Sequence, residues 1–460
     1  MSAEWSEHAI WWHLHPISFL GVPGEAPAQV GASTGATAEA EANHRLGRLE
    51  GWLDYLVELG CNGLALGPIF ASESHGYDTT DHYRIDPRLG DGADFDRLVA
   101  ACRERGVRLL LDGVFNHVGR GFPGFVDVLA HGRESRYASW FRLDFDSPGQ
   151  GGDGFGYADF EGHRSLVALN HAEPAVLDYV SDVMSHWLDR GADGWRLDAA
   201  YAVPSEFWRA ATERVRRRHP QAWFVGEYIH GDYAAAVRDG GLDSATQYEL
   251  WKAVWSSIND GNLFELAWAL ERHEGFAAQM RPLVFVGNHD VTRLASRLED
   301  ERHLAHALAI LFTVPGIPSV YAGDEQAFRG VKYEREGGDE EIRPAFPQEG
   351  PGGLAAYGWP VYRLHQDLIG LRRRHPWLVR GQIEKLHLDN LAFAYRVHEA
   401  DPGPGAGPGG SLVVLLNLGD GDVTFPVELP GAKRLLGSGA DGGAVEQVEA
   451  HGWAIVELQP

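Results

Sequence analysis

The 460-residue chain contains only two cysteines, Cys61 and Cys102, and no apolar run of about 20 residues. Both cysteines lie in apolar segments, so no disulfide is implied, and such sparse cysteine is typical of a reducing compartment. The N-terminus, MSAEWSEHAIWWHLHP, lacks a basic segment followed by a long apolar one, which argues against a secretory signal. These features predict a cytoplasmic protein without a membrane span.

Positive charge is also scarce. Lysine and arginine total 40 residues against 65 aspartate and glutamate, which gives a formal net charge of −25 at pH 7. Nucleic acids and anionic membranes would repel such a surface, so neither is expected as a partner. Aromatic residues are abundant, with 15 tryptophans and 15 tyrosines. Most should pack in the core, but aromatic faces also stack on sugar rings. Nothing in the sequence indicates an oligomeric state.

Short apolar runs alternate with amphipathic helical stretches, which predicts parallel strands joined by helices. Eight such units predict a (β/α)8 TIM barrel in the α/β class. An open doubly wound sheet is the alternative, but no glycine-rich phosphate-binding turn follows the first strand. The predicted strands are 9–15, 61–69, 107–115, 193–198, 222–227, 243–247, 283–287 and 317–321. The predicted helices are 45–60, 94–106, 174–190, 204–218, 262–273 and 300–312.

Two regions break this alternation. Residues 118–170 show no helical period and are too long for a structureless loop, so they predict a small subdomain inserted after strand three. From about residue 380 the period changes to two, which predicts a C-terminal antiparallel β-sandwich with a hairpin tip at 400–410. We therefore assign 1–117 and 171–378 to the barrel, 118–170 to the inserted subdomain and 379–460 to the sandwich.

Several predicted strands end in polar residues. Because functional side chains gather at the carboxyl ends of barrel strands, Asp198, Glu227 and Asp290 are predicted to share one mouth. A single aspartate after a strand is usually a helix cap or a turn residue. Three carboxylates in one place, however, would repel one another unless a ligand or an arginine compensates. Their convergence favours a catalytic site.

Arg196 precedes Asp198 by two residues in GWRLDAAY. Residues i and i+2 of a strand face the same side, so the guanidinium should lie beside the carboxylate, lower its pKa and keep it ionised. An ionised aspartate suits a nucleophile, and a partly desolvated Glu227 would hold its proton as general acid. This pairing is the logic of retaining glycoside hydrolysis, in which the carboxyl groups lie ~5–5.5 Å apart.

The strand ends resemble the signatures of the alpha-amylase family of glycoside hydrolases, family 13. The family patterns DxVxNH, GxRxD, a strand-ending Glu and xxNHD occur in order as DGVFNH, GWRLD, VGEY and VGNHD. Further matches are GYDTTDHYRIDPRLG, LVALNHAEPAV and GIPSVYAGDE, and the resemblance spans residues 8–378. It implies a barrel with an insertion after strand three and a C-terminal β-sandwich, acting on oligosaccharides without a required cofactor.

The resemblance also implies a role for each matching residue. Asp198 would be the nucleophile, Glu227 the acid/base, and Asp290 would hold hydroxyls of the distorted sugar ring. The matching positioning and binding residues are Tyr77 beneath the ring, His117 and His289 on its hydroxyls, Arg196 beside the nucleophile, Asp112 in the supporting network, and Asp339 and Arg343 at the next sugar. Asn116 matches a calcium ligand of many amylases, with a loop-holding hydrogen bond as the alternative.

Within the family, HGYDTTDHYRIDP and LNHAEPAVLDYV resemble the neopullulanase and cyclomaltodextrinase group. Four features depart from family patterns: no N-terminal β-domain is expected, LVALN lacks a lysine, Ser74 replaces the aspartate of exo-acting alpha-glucosidases, and Tyr201 replaces a lysine of many amylases. We expect a retaining hydrolase of short alpha-1,4-linked gluco-oligosaccharides or cyclodextrins. A transglycosylase or trehalose-synthase-like isomerase would use the same triad. A non-catalytic sugar-binding or transporter-associated barrel would usually lose part of it.

Overall fold

The computed structural model describes residues 3–22, 44–147, 149, 153–335, 337–399, 409–439 and 444–458. Eight parallel strands form the central sheet: β1 (Trp11–Leu14), β2 (Gly63–Leu66), β3 (Arg108–Gly113), β4 (Gly194–Leu197), β5 (Trp223–Gly226), β6 (Ser244–Ala245), β7 (Leu283–Val284) and β8 (Ile317–Tyr321). They pair in the order β6-β5-β4-β3-β2-β1-β8-β7. A parallel bridge between Thr246 and Leu283 joins β6 to β7. The predicted (β/α)8 barrel is confirmed.

The barrel strands are buried on both faces because helices cover the outside and side chains fill the inside. Alternate residues of β1 show this division. Trp12 packs outward against Trp52, whereas Trp11 lies inside and stacks on Trp223 of β5 with ring centroids 5.5 Å apart. Large aromatic rings thus fill one end of the barrel, and polar side chains occupy the other.

Helices return the chain between the strands. Their bounds are Leu53–Leu59, Gly92–Glu104, Pro174–Asp189, Ser205–Arg216, Tyr233–Gly240, Tyr248–Asn259, Leu263–Ala277, Leu304–Thr313 and Trp359–Arg374. Gly60 ends the first of these in the left-handed region, as the sequence indicates. The second begins at Gly92 rather than at Asp94, because Asp91 is the N-cap and Asp94 completes its capping box. The helices at 233–240, 248–259 and 359–374 were not predicted.

Among its described residues, the insertion after β3 contains one α-helix, Pro123–His131, which was not predicted. Its period is hard to read because the helix is short, and Phe125 and Val128 are the buried pair three residues apart. Beside the barrel mouth, the insertion forms a three-stranded sheet of His117–Gly119, His163–Ala168 and Asp159–Phe160. An inserted unit after strand three is confirmed, while its bounds and the other domain bounds stay predictions.

The C-terminal region is an antiparallel five-stranded sheet of β9 (Gln382–Leu388), β10 (Ala392–His398), β11 (Ser411–Asn417), β12 (Lys433–Gly437) and β13 (Trp453–Glu457). Its order is β9-β10-β11-β13-β12. A ribbon of Val423–Thr424 and Gln447–Val448 packs on one face through Phe425 and Val448. The sequence missed β12, and most of the predicted hairpin tip lies outside the described residues. Within the described ranges, no helix has the length and hydropathy needed to cross a membrane.

Candidate active site

Acidic side chains converge at the carboxyl ends of the barrel strands, as predicted. Asp112 lies on β3, while Asp198 and Glu227 directly follow β4 and β5. The β3–β4 register places Arg196 opposite Asp112. Arg196 Nη1 donates to Asp112 Oδ1 and Oδ2 at 2.8 and 2.7 Å and to Asp198 Oδ1 at 3.1 Å. Its Nη2 lies 2.6 Å from Glu227 Oε1. One buried guanidinium therefore holds carboxylates from three neighbouring strands.

The charge state of this cluster differs from the sequence expectation. Burial raises the pKa of Asp198 well above its ordinary value, the Glu227 carboxylate raises it further, and Arg196 lowers it. Burial likewise raises the pKa of Asp112 to about 6. The prediction that Asp198 has a lowered pKa is therefore wrong, because Asp198 is buried and Arg196 is shared among three carboxylates.

Backbone geometry after β4 orients Glu227. Ala199 adopts a left-handed conformation with φ of 45°, and its N–H donates to Glu227 Oε2 at 2.9 Å. The Tyr248 hydroxyl donates to Glu227 Oε1 at 3.3 Å and itself accepts from Asn288 Nδ2 at 2.7 Å. Tyr248 was missed by sequence reasoning because the helix that it begins, Tyr248–Asn259, was not predicted.

Asp290 lies in a second cluster after β7. Arg343 Nη2 lies 2.9 Å from Asp290 Oδ1 and 2.7 Å from Asp339 Oδ2, and Arg343 Nε donates to the His289 carbonyl at 2.8 Å. His289 Nε2 lies 3.1 Å from Asp290 Oδ2 and contacts the Tyr77 hydroxyl. The structure therefore places Asp339, Arg343, His289 and Tyr77 beside Asp290, as the sequence indicates.

Tyr77 links the two clusters. Its hydroxyl donates to Asp112 Oδ2 at 3.2 Å, and its ring lies parallel to that of His289, with centroids 5.5 Å apart. His117 Nε2 donates to the Tyr77 carbonyl at 3.1 Å, while Asn116 Nδ2 donates to His117 Nδ1 at 3.1 Å. Both nitrogens of His117 are thus engaged within the protein. Its ring stacks on Phe160 of the insertion at 4.8 Å, so His117 fastens the Tyr77 backbone to the insertion.

The hydrogen bond from the Asn116 amide to His117 matches the alternative in which Asn116 holds a loop. Two groups of three His or Asp residues in the described residues could hold a metal ion: Asp300, His303 and His451, and His44, Asp91 and Asp94. Neither group includes the insertion 118–170, from which calcium at Asn116 would need its acidic ligands. Calcium there stays a prediction.

A cavity of about 30 Å³ lies inside the barrel beside the catalytic cluster, and His13, Arg196, Tyr248 and His289 are among the residues that line it. His13 Nε2 and His289 Nδ1 are buried without a hydrogen-bond partner among the described residues, and their rings meet edge to face with centroids 5.0 Å apart. Burial lowers the pKa of His13 to about 3. His13 was missed by sequence reasoning, although strand alternation places it inside the barrel with Trp11.

Tyr201, where the chain departs from many amylases, lies on the rim of the mouth and is 38% exposed. Its N–H donates to the Glu227 carbonyl at 3.3 Å. Its hydroxyl donates to Glu161 Oε1 of the insertion at 2.8 Å. The barrel and the insertion therefore meet at a polar, partly aromatic rim on the Glu227 side of the site.

Comparison with known proteins agrees with this geometry. The family model described as "Alpha amylase, catalytic domain" matches residues 41–350. A cyclomaltodextrinase from a Bacillus species is 31% identical over 395 residues, which cover 83% of this chain and 68% of the relative. Neopullulanase 2 of Thermoactinomyces vulgaris is 32% identical over 410 residues, which cover 85% and 67%. The ligand-free cyclic alpha-maltosyl-(1→6)-maltose hydrolase of Arthrobacter globiformis superimposes with a TM-score of 0.80 and 26% identity over 99% of both chains.

Proposed function

The chain belongs to the alpha-amylase family of glycoside hydrolases, and we propose that it hydrolyses short alpha-1,4-linked gluco-oligosaccharides or cyclodextrins with retention of configuration. The observation that carries this proposal is the convergence of Asp112, Asp198 and Glu227 on the one buried guanidinium of Arg196. The cyclomaltodextrinase and neopullulanase among the relatives support the substrate class. The family and subgroup predicted from the sequence are confirmed.

In the first step, Asp198 attacks the anomeric carbon of the bound sugar while Glu227 gives its proton to the departing glycosidic oxygen. The bond between that carbon and that oxygen breaks, and a covalent glycosyl-Asp198 forms. Arg196 helps Asp198 to ionise, and the N–H of Ala199 and the hydroxyl of Tyr248 hold Glu227 in place. The positive charge that develops on the sugar ring favours the ionised Asp198, which offsets the effect of burial.

In the second step, Glu227 takes a proton from water, the water oxygen attacks the anomeric carbon, and Asp198 leaves as a carboxylate. Two inversions give net retention. We assign Asp290 to hydroxyls of the distorted ring, because Arg343 and His289 fix its two oxygens from the protein side. We assign Tyr77 and His289 to the wall of the same sugar subsite, and Asp339 and Arg343 to the next sugar on the non-reducing side.

The test is product analysis with maltotriose, panose and a cyclodextrin, read by NMR in the first minutes. An alpha-anomer as first product, together with a stoichiometric gain in reducing ends, is expected. A beta-anomer would overturn retention. Longer products or new linkages without a gain in reducing ends would favour the transglycosylase or isomerase.

The covalent step is tested with Glu227→Gln and an alpha-glucosyl fluoride, whose good leaving group needs little acid assistance. Intact-protein mass spectrometry should show one added glycosyl unit, and peptide mapping should locate it on Asp198. Asp198→Asn is the matched control and should show no added unit. A label elsewhere would remove Asp198 from the nucleophile role.

The proposal includes a cytoplasmic location. Cys61 and Cys102 are both buried free thiols, which suits a reducing compartment. Fractionation of the native host into cytoplasmic and external fractions tests it, and recovery in the external fraction would contradict it.

A further inference from the structure

Two histidines from different parts of the chain meet where a barrel helix packs on the C-terminal sheet. His303 lies directly before helix Leu304–Thr313, and His451 lies in the turn before β13. His303 Nε2 and His451 Nδ1 are 3.0 Å apart. One carboxylate oxygen of Asp300 and one ring nitrogen of each histidine all lie within 4.8 Å of one another. None of these residues takes part in the proposed hydrolysis.

The outer nitrogen of His451 is held by a carboxylate. His451 Nε2 donates to Asp420 Oδ1 at 2.8 Å, which places the ring hydrogen on Nε2 and leaves a lone pair on Nδ1 facing His303. Metal-bound histidines commonly donate their second ring N–H to a carboxylate in this way. The Asp420–His451 pair therefore has the form of a metal ligand with its supporting acid.

The distance between His303 Nε2 and His451 Nδ1 suits a hydrogen bond or a shared metal ion. Tetrahedral zinc with Zn–N distances of about 2.0–2.1 Å separates two ligand nitrogens by roughly 3.3–3.4 Å. The observed 3.0 Å is only a few tenths of an ångström shorter. A small rotation of either ring would admit the ion between them.

The backbone holds both rings at this position. One helical turn after His303, His306 Nε2 lies 2.8 Å from the carbonyl of Gly452 and 3.1 Å from that of Asn417. The His451 N–H donates to the Gly419 carbonyl at 3.0 Å. The same two loops of the sheet are thus fastened to the same end of the helix, so the ligands are aligned before any metal arrives.

We propose that His303, His451 and Asp300 bind one zinc ion, with water as the fourth ligand, and that the ion ties the barrel helix to the C-terminal sheet. Two imidazole nitrogens with one carboxylate suit zinc better than calcium or magnesium, which prefer oxygen ligands throughout. Arg302 also binds Asp300 through both carboxylate oxygens. The Arg302 backbone N–H also donates to Asp300 Oδ1 at 3.0 Å, so zinc would bind Oδ2 in place of one of its contacts with the exposed Arg302 side chain.

The test uses the whole chain, freed of any affinity tag and stripped with a chelator, and zinc chloride as the probe. His451→Gly is the informative variant, because residue 451 has a φ of 53°, which glycine adopts without strain. Dialysis followed by metal analysis should show one zinc more per chain in the wild type than in His451→Gly. Zinc should raise the melting temperature of the wild type and not that of the variant.

His44→Gly is the matched control. His44 also has a positive φ, of 44°, and belongs to the other His and Asp group. The control should keep the zinc-dependent rise in melting temperature, and Asp420→Asn should weaken zinc binding about 10–100-fold. Equal zinc content and equal melting in zinc for wild type and His451→Gly would overturn the proposal and leave the pair as a hydrogen bond.

Discussion

Arg196 Nη2 lies 2.6 Å from Glu227 Oε1, the carboxyl group assigned as general acid. The same guanidinium binds Asp112 and Asp198, so one positive charge faces three acids. Such a cluster favours retaining a proton, since three ionised carboxylates around one guanidinium would repel one another. A substrate that draws Asp198 towards its anomeric carbon reduces the repulsion among the three acids. Glu227 can then give the proton to the departing glycosidic oxygen.

Glu227→Gln should lose about 10²–10⁴-fold in kcat on maltotriose, because the leaving sugar oxygen needs its proton. On an aryl alpha-glucoside with an acidic phenol, the first step should be nearly unaffected. The measurement is kcat/KM for both substrates with wild type and variant. Equal losses on both would remove Glu227 from the acid role.

Arg343→Lys should lower kcat/KM by about 10–100-fold. Lysine cannot contact Asp290, Asp339 and the His289 carbonyl together, since its single ammonium lacks the guanidinium fork. Asp339→Asn keeps the contact between Arg343 and Asp290, so its effect should be smaller and should appear mainly in KM. Steady-state kinetics on maltotriose compares the two. A larger effect for Asp339→Asn would contradict the assigned order of importance.

His13→Phe should lower kcat/KM about five- to tenfold, the scale of one hydrogen bond of ~1 kcal/mol. The cavity beside His13 has about the volume of one water molecule. We expect a water there to join His13 Nε2 to His289 Nδ1 and to hold the His289 ring against Tyr77. The melting temperature should change little, because phenylalanine keeps the edge-to-face packing against the His289 ring. Loss of stability with full activity would contradict this role.

Stability should fall as the pH is lowered from about 6.5 to 4. Burial lowers the pKa values of His273, His306 and His365 from 6.5 to about 4. The unfolded chain therefore takes up these protons first, and each adds a slope of at most about 1.4 kcal/mol per pH unit in that window. Above about pH 6.5 the contribution of these three neutral histidines to the free energy of unfolding is fully present.

Urea unfolding across this range measures the slope. His365→Asn suits the test, because its side-chain amide can replace the hydrogen bond from His365 Nδ1 to the Val361 carbonyl. The variant should take up about one proton fewer on unfolding at pH 5. An unchanged proton uptake would show that His365 titrates normally in the folded protein.

The sequence could predict what depends on neighbours along the chain. The eight barrel strands, the glycine that ends the first helix, and the placement of Arg196 and Asp198 on one side of β4 all follow from local periodicity. The acids proposed as catalytic could also be identified from the sequence, because the carboxyl ends of parallel barrel strands lie at one mouth. The helix Pro123–His131 shows the limit, since a helix this short carries almost no readable period.

Tertiary structure alone decided the contacts between strands and the electrostatics that depend on them. Arg196 reaches Asp112 and Glu227 only because β3, β4 and β5 lie side by side in one register. The sequence predicted a lowered pKa for Asp198 from its nearest cation, but burial and the Glu227 carboxylate raise it. Desolvation and distant charges are properties of the packed barrel, and no spacing along the chain reports them. The meeting of His303 and His451 has the same origin, because 148 residues separate them in sequence.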